Sequence, residues 1–107
     1  MSKKRSTEGF IYIISNSNFP DFYKIGVTTD ISKRLRTYQT SSPHRNFKVE
    51  HYIKHPDCYL AEQKIRENMK HFAKSIKNEW YEIPLWMAVT RLQEIAEEEE
   101  KVPVDNL

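Results

Sequence analysis

The chain has 107 residues, 38% of them hydrophobic and 13 of them aromatic, enough for one modest domain with a core and too much for wholesale disorder. No apolar run approaches the ~20 residues of a membrane-spanning helix, and the lone Cys58 excludes an internal disulfide or a cysteine zinc site. The net charge of +2 hides a split: residues 1–83 carry 15 Lys+Arg against 9 Asp+Glu, whereas residues 84–107 carry 2 against 6. The first part therefore either suits a polyanion or is simply a solvated basic surface.

Residues 1–8 read as a flexible basic arm through Lys3, Lys4 and Arg5. No apolar segment follows that start, so no secretory signal is expected, and an intracellular, reducing compartment fits the single cysteine. "GFIYIIS" is a near-continuous β-branched and aromatic run, the pattern of a buried strand. "NSNFPD" is loop, and "FYKIGVT" a second strand close enough in sequence to pair antiparallel with the first. Thr29 or Asp30 can cap a helix carrying Ile31, Leu35 and Tyr38 on one side. "TSSPHRN" ends it, and "FKVEHYI" alternates as a third strand. Pro56-Asp57 opens a long helix whose apolar stripe runs Leu60, Ile65, Met69, Phe72 and Ile76. "NEWYEI" is a short extended segment, and Pro84 starts a last helix with Leu85, Val89, Leu92 and Ala96 along one side. "EEEEK" closes that helix and "VPVDNL" is tail. The expected fold is α+β: a small, mainly antiparallel three-stranded sheet flanked by helices, plus a C-terminal helix. The divisions are 1–8 (arm), 9–83 (main domain) and 84–107 (helix and acidic tail).

Four positions can carry chemistry. Glu62 stands at the edge of the long helix's stripe, where a carboxylate is costly unless paired, protonated or metal-bound; a salt bridge or a reach to water explains it equally. Arg34 shares a helix side with Ile31, Leu35 and Tyr38, so it either holds a phosphate through two parallel hydrogen bonds or covers the core edge. Tyr12 alternates with Phe10 and Ile14 on strand one, and Tyr23 with Ile25 and Val27 on strand two. Either tyrosine can be an ordinary core residue with its hydroxyl at the rim. Lys24 falls on the opposite side of strand two from Tyr23, along with Gly26, one of two glycines; a strand glycine signals close approach or a bulge. His44, His51, His55 and His71 show no metal-ligand spacing with cysteine.

Phe10-Ile11-Tyr12 precedes Lys24-Ile25-Gly26, Arg34 comes eight residues past Gly26, and Glu62 lies on a later helix. In that order and spacing the chain resembles the GIY-YIG nuclease superfamily over roughly residues 9–83. "YKIGVTT" and "NEWYEI" are similar to its small phage and large-DNA-virus branch. Two positions depart from the pattern. Phe10 replaces the first motif's glycine, beside Gly9, and Lys24 replaces the second motif's tyrosine, as in some restriction-type members.

The resemblance implies a metal-dependent DNA endonuclease. In that reading Tyr12 is the general base, Lys24 lowers its pKa or meets the phosphate, and Arg34 stabilises the transition state. Glu62 holds one Mg²⁺ or Mn²⁺ ion. Lys33, Arg36, Tyr38 and Arg45 would contact DNA, with Tyr23, Gly26 and Asn78 as further candidates. Tyr12, Lys24, Arg34 and Glu62 are then expected on one open concave surface, with the Glu97–Glu100 run away from it. A monomer or weak homodimer is expected, with selectivity low unless a partner protein supplies it. A non-catalytic DNA-binding module of the same fold, or a protein-interaction module working through the acidic helix, are the alternatives.

Overall fold

The structure is a computed structural model that describes residues 8–100, with side chains as far as Glu98. The expected basic arm before Glu8 and the tail past Glu100 lie outside the described residues. The chain forms β1 (Gly9–Asn16), β2 (Phe22–Thr28), α1 (Ile31–Thr40), β3 (Phe47–His55), α2 (Cys58–Phe72), β4 (Ser75–Lys77), β5 (Trp80–Glu82) and α3 (Leu85–Glu100).

The sheet has five strands in the order β3-β1-β2-β5-β4, not the three expected, and every neighbouring pair is antiparallel. The two extra strands are a hairpin made by residues assigned to a helix stripe and to a single extended piece. Helix α2 stops at Phe72, because Ala73 turns extended (ψ 142°) and Lys74 N–H donates to the Glu82 carbonyl at 2.7 Å. Ile76, expected as the stripe's last member, is a β4 residue instead. Asn78 takes the left-handed region at φ 59°, a conformation asparagine tolerates, and Asn78-Glu79 closes a two-residue loop between Lys77 and Trp80.

Strand alternation sorts the side chains into two layers. One layer packs Ile11, Ile13, Ile25, Tyr81 and Ile83 against Ala61, Ile65 and Met69 of α2 and Ala88, Leu92 and Ile95 of α3. Helix α1 lies on the other side, where Tyr12 meets Tyr38. Both helices that connect strands, α1 and α2, are capped by aspartate. Asp30 accepts from Lys33 N–H at 2.9 Å at the start of α1. Asp57 accepts from Tyr59 and Leu60 N–H at 3.1 and 3.2 Å at the start of α2. The β5 pairing reaches only Phe22, Tyr23 and Lys24 of β2. From Ile25 onward the outer edge of β2 therefore carries no strand among the described residues.

Candidate functional site

Tyr12 is the centre of the α1-side layer. It is fully buried and lies opposite Gly26 across the β1–β2 ladder. A Cβ at position 26 would stand 2.7 Å from the Tyr12 hydroxyl and 3.0 Å from Cζ, so the glycine exists to let the tyrosine ring lie over the strand. The ring ends at Tyr38, with the two hydroxyl oxygens 3.1 Å apart. Arg34 precedes Tyr38 by one helical turn, which puts both on the same side of α1, and its guanidinium sits against both phenols. Lys24, two residues before Gly26, projects the same way. Its Nζ lies 5.6 Å from the Tyr38 ring centroid and 5.8 Å from that of Trp80.

Charge is distributed unevenly among these groups. Burial pushes the Tyr12 phenol well above its ordinary value; the hydrogen bond and charge of Tyr38 add to that, and Glu79 adds a little more. Arg34 is the cation that pulls it back down. Burial alone would lower the Arg34 guanidinium, but hydrogen bonding to Tyr38 and the charge of Tyr12 more than offset it, so it stays cationic. Lys24 is held by Glu79, with Nζ to Oε1 at 3.1 Å. Arg34 is the cation whose charge favours the Tyr12 phenolate.

Arg34 also opens onto a polar cleft of about 370 Å³ that it lines with Thr28, Thr29, Asp30, Lys33 and Thr37. Arg34 and Lys33 are its two cations, Asp30 its one carboxylate, and the Thr28 and Thr37 hydroxyls donate to the carbonyls of Asp30 and Lys33. Arg36 and Arg45 are exposed and outside this cleft, and Arg45 has φ 48° in the α1–β3 loop. Tyr23 packs against the hydrophobic core on the other side of the sheet, as its strand alternation requires, and does not join Tyr12.

Glu62 stands apart from this group, so Tyr12, Lys24, Arg34 and Glu62 do not share one concave surface as expected: strand alternation turns Tyr12 and Lys24 toward α1, whereas α2 packs on the other side of the sheet. Glu62 belongs to α2, in the layer on the opposite side of the sheet from α1, and its Oε2 lies 3.7 Å from Arg66 Nη1. It lines a small cleft of about 120 Å³ with Ile25, Ile65, Arg66, Asn78, Glu79 and Tyr81. The cleft lies by the unpaired outer edge of β2, and Glu79 is its link to the tyrosine side, since the same residue holds Lys24. Glu62 and Glu79 are the two carboxylates that line this cleft, and each is already paired, Glu62 with Arg66 at 3.7 Å and Glu79 with Lys24 at 3.1 Å. Among the described residues no three His, Cys, Asp or Glu side chains gather into a metal-binding group.

Glu79, Trp80 and Phe47 escaped the sequence reading as site residues. "NEWYEI" signalled an extended piece, yet a turn with its carboxylate aimed at Lys24 becomes visible only once β5 is paired. Glu98, in the acidic run, pairs with Lys64 of α2 at 2.9 Å, away from the Tyr12 group; Glu99 and Glu100 lie beyond the described side chains. No helix among the described residues is long and apolar enough to cross a membrane. A family model, the T5orf172 domain, matches residues 9–99 and so spans most of the chain, including α3. The searches of curated proteins and of solved structures returned no match.

Proposed function

The chain belongs to the T5orf172 domain family, a GIY-YIG-like, nuclease-type family, and from that premise we propose that it is a metal-dependent DNA endonuclease. The observation that supports this most is the Tyr12 hydroxyl, buried against Tyr38 and Arg34, the arginine that also lines a polar cleft with Lys33. Arg34 and Lys33 hold the scissile phosphate and neutralise the charge that develops on it. Lys24 meets the phosphate backbone once Glu79 releases it. Tyr12 takes the proton of the attacking water. It does so as the phenolate, which at neutral pH is present only in the small fraction of molecules where Arg34 wins over burial and the phenol proton has already gone to solvent. Glu62, with Glu79 and Asn78 beside it, would hold one Mg²⁺ or Mn²⁺, which stabilises charge on the leaving oxygen.

Three observations favour a second reading, a DNA-binding module without cleavage. Tyr12 is held protonated, Lys24 stands where a second tyrosine is usual, and Glu62 is engaged by Arg66. In both readings the partner is DNA and the chain works inside a cell, a host cell if it is viral. Incubating the protein with supercoiled and branched DNA in Mg²⁺, Mn²⁺ or EDTA separates them. Cleavage in either metal and none in EDTA supports the endonuclease. Binding that weakens with salt, without cleavage in any condition, leaves the binding module.

A further inference from the structure

The aromatic residues on the α1 side form a row that runs well past Tyr12. Tyr38 and Phe47 are 5.4 Å apart between ring centroids, Phe47 and Trp80 are 6.3 Å apart, and Phe19 stands edge-on to Trp80 at 5.5 Å. Beyond Trp80 the row ends in a cavity of about 240 Å³ lined by Phe19, Phe22, Lys77, Asn78 and Trp80. That is below the roughly 300–1,000 Å³ of pockets for drug-sized ligands and closer to the room a single ring system needs. Phe19, in the β1–β2 loop, is 48% exposed, so its apolar surface stays wet unless a ligand covers it.

The charges around the cavity say what kind of ring it takes. Lys77 is on its wall, and the Lys24 ammonium stands between the Trp80 and Tyr38 rings. Flat aromatic faces flanked by lysines match a flat ring carried on a phosphate chain, and every nucleobase offers a face to stack whatever its sequence. A buried apolar side chain of a protein partner would have no use for the two ammonium groups.

We propose that this pocket takes one unpaired nucleobase, with the neighbouring backbone phosphates at Lys24 and Arg34. The substrate is then DNA with an unpaired nucleotide beside the cut, not continuous duplex. The inference rests on the nuclease-type reading of the Tyr12–Arg34 cleft and adds the substrate class. The test uses a Trp86→Phe background, which leaves Trp80 as the single tryptophan, in EDTA so that nothing is cut. Anisotropy compares a labelled duplex with the same duplex carrying a short unpaired bubble. The bubble DNA should bind more tightly and quench Trp80. Adding Phe19→Ala should cost roughly tenfold in affinity for the bubble and leave the duplex unchanged. Equal binding of both DNAs without quenching would overturn the pocket, and so would a Phe19→Ala loss of equal size on both. If the parent protein binds and cuts plain duplex as readily as bubble DNA, the pocket assignment falls while the nuclease reading stands. If it binds neither DNA, both fall.

Discussion

Tyr12 is asked to do two things that conflict, and the conflict makes its role measurable. Burial and Tyr38 hold the phenol protonated, while a general base must lose that proton. If Tyr12 is the base, the cleavage rate rises about tenfold per pH unit between pH 6 and 9, because the phenolate fraction grows by that factor below its pKa. A flat profile over the same range would mean that another group takes the proton. Tyr12→Phe should keep the fold and DNA affinity and lower the rate by roughly 10²–10⁴-fold, since only the ionisable hydroxyl is removed. Gly26 gives a purely structural counterpart. A methyl group there would meet the Tyr12 hydroxyl at 2.7 Å, and the ring has no open space to retreat into. Gly26→Ala should therefore cost about 1–3 kcal/mol in denaturant unfolding. The double variant with Tyr12→Phe should recover part of that loss; simple additivity of the two changes would contradict the close-approach account.

The elements show where sequence periodicity informs and where it misleads. Phe10, Tyr12 and Ile14 alternate along β1, and Tyr23 alternates against Lys24 along β2, so the side of the sheet each occupies is legible without coordinates. The starts of α1 and α2 are legible too, although the sequence leaves Thr29 and Asp30 both open as the α1 cap and the structure selects Asp30. The β4–β5 hairpin was not legible, because Ile76 continues the three-and-four spacing of the α2 stripe. Nothing local distinguishes a helix's last turn from a three-residue strand. The pairing of Tyr81 with both Tyr23 and Ile76 decides it, and that information is tertiary. Glu79 was missed for the same reason, because its contact with Lys24 exists only across the β2–β5 pair. The hairpin depends on Asn78 at φ 59°. Asn78→Ala should lower stability by about 1 kcal/mol, whereas Asn78→Gly should be close to neutral, as read by thermal unfolding. An equal loss in both would assign Asn78's contribution to its side chain instead of its backbone.

Among the described residues three acidic protons are held by burial: those of Tyr12, Tyr81 and Cys58, each with its pKa raised, most by desolvation. A group whose folded pKa lies above its unfolded value stabilises the fold fully below the unfolded value. That contribution is lost as pH climbs through the folded one. The denaturant midpoint should therefore hold steady from pH 7 to about 8, begin to fall near pH 9, where the unfolded Cys58 thiol ionises, and fall further beyond pH 10, where unfolded tyrosines follow. Tyr12→Phe should make the fall shallower; a midpoint unchanged at pH 11 would show that these protons are not held as tightly as their burial implies.

The molecule's division of labour also sets the central test. The phosphate-binding cations stand on the α1 side, and Glu62 stands across the sheet on α2, linked to them through Glu79. The account requires Glu62 to serve the metal and not the DNA. The direct measurement is the cleavage rate and the DNA dissociation constant of Glu62→Ala beside wild type, in Mg²⁺. Cleavage should be lost while affinity stays equal or tightens slightly, because a negative charge beside a phosphate has been removed. A variant that cuts as fast as wild type would contradict the account.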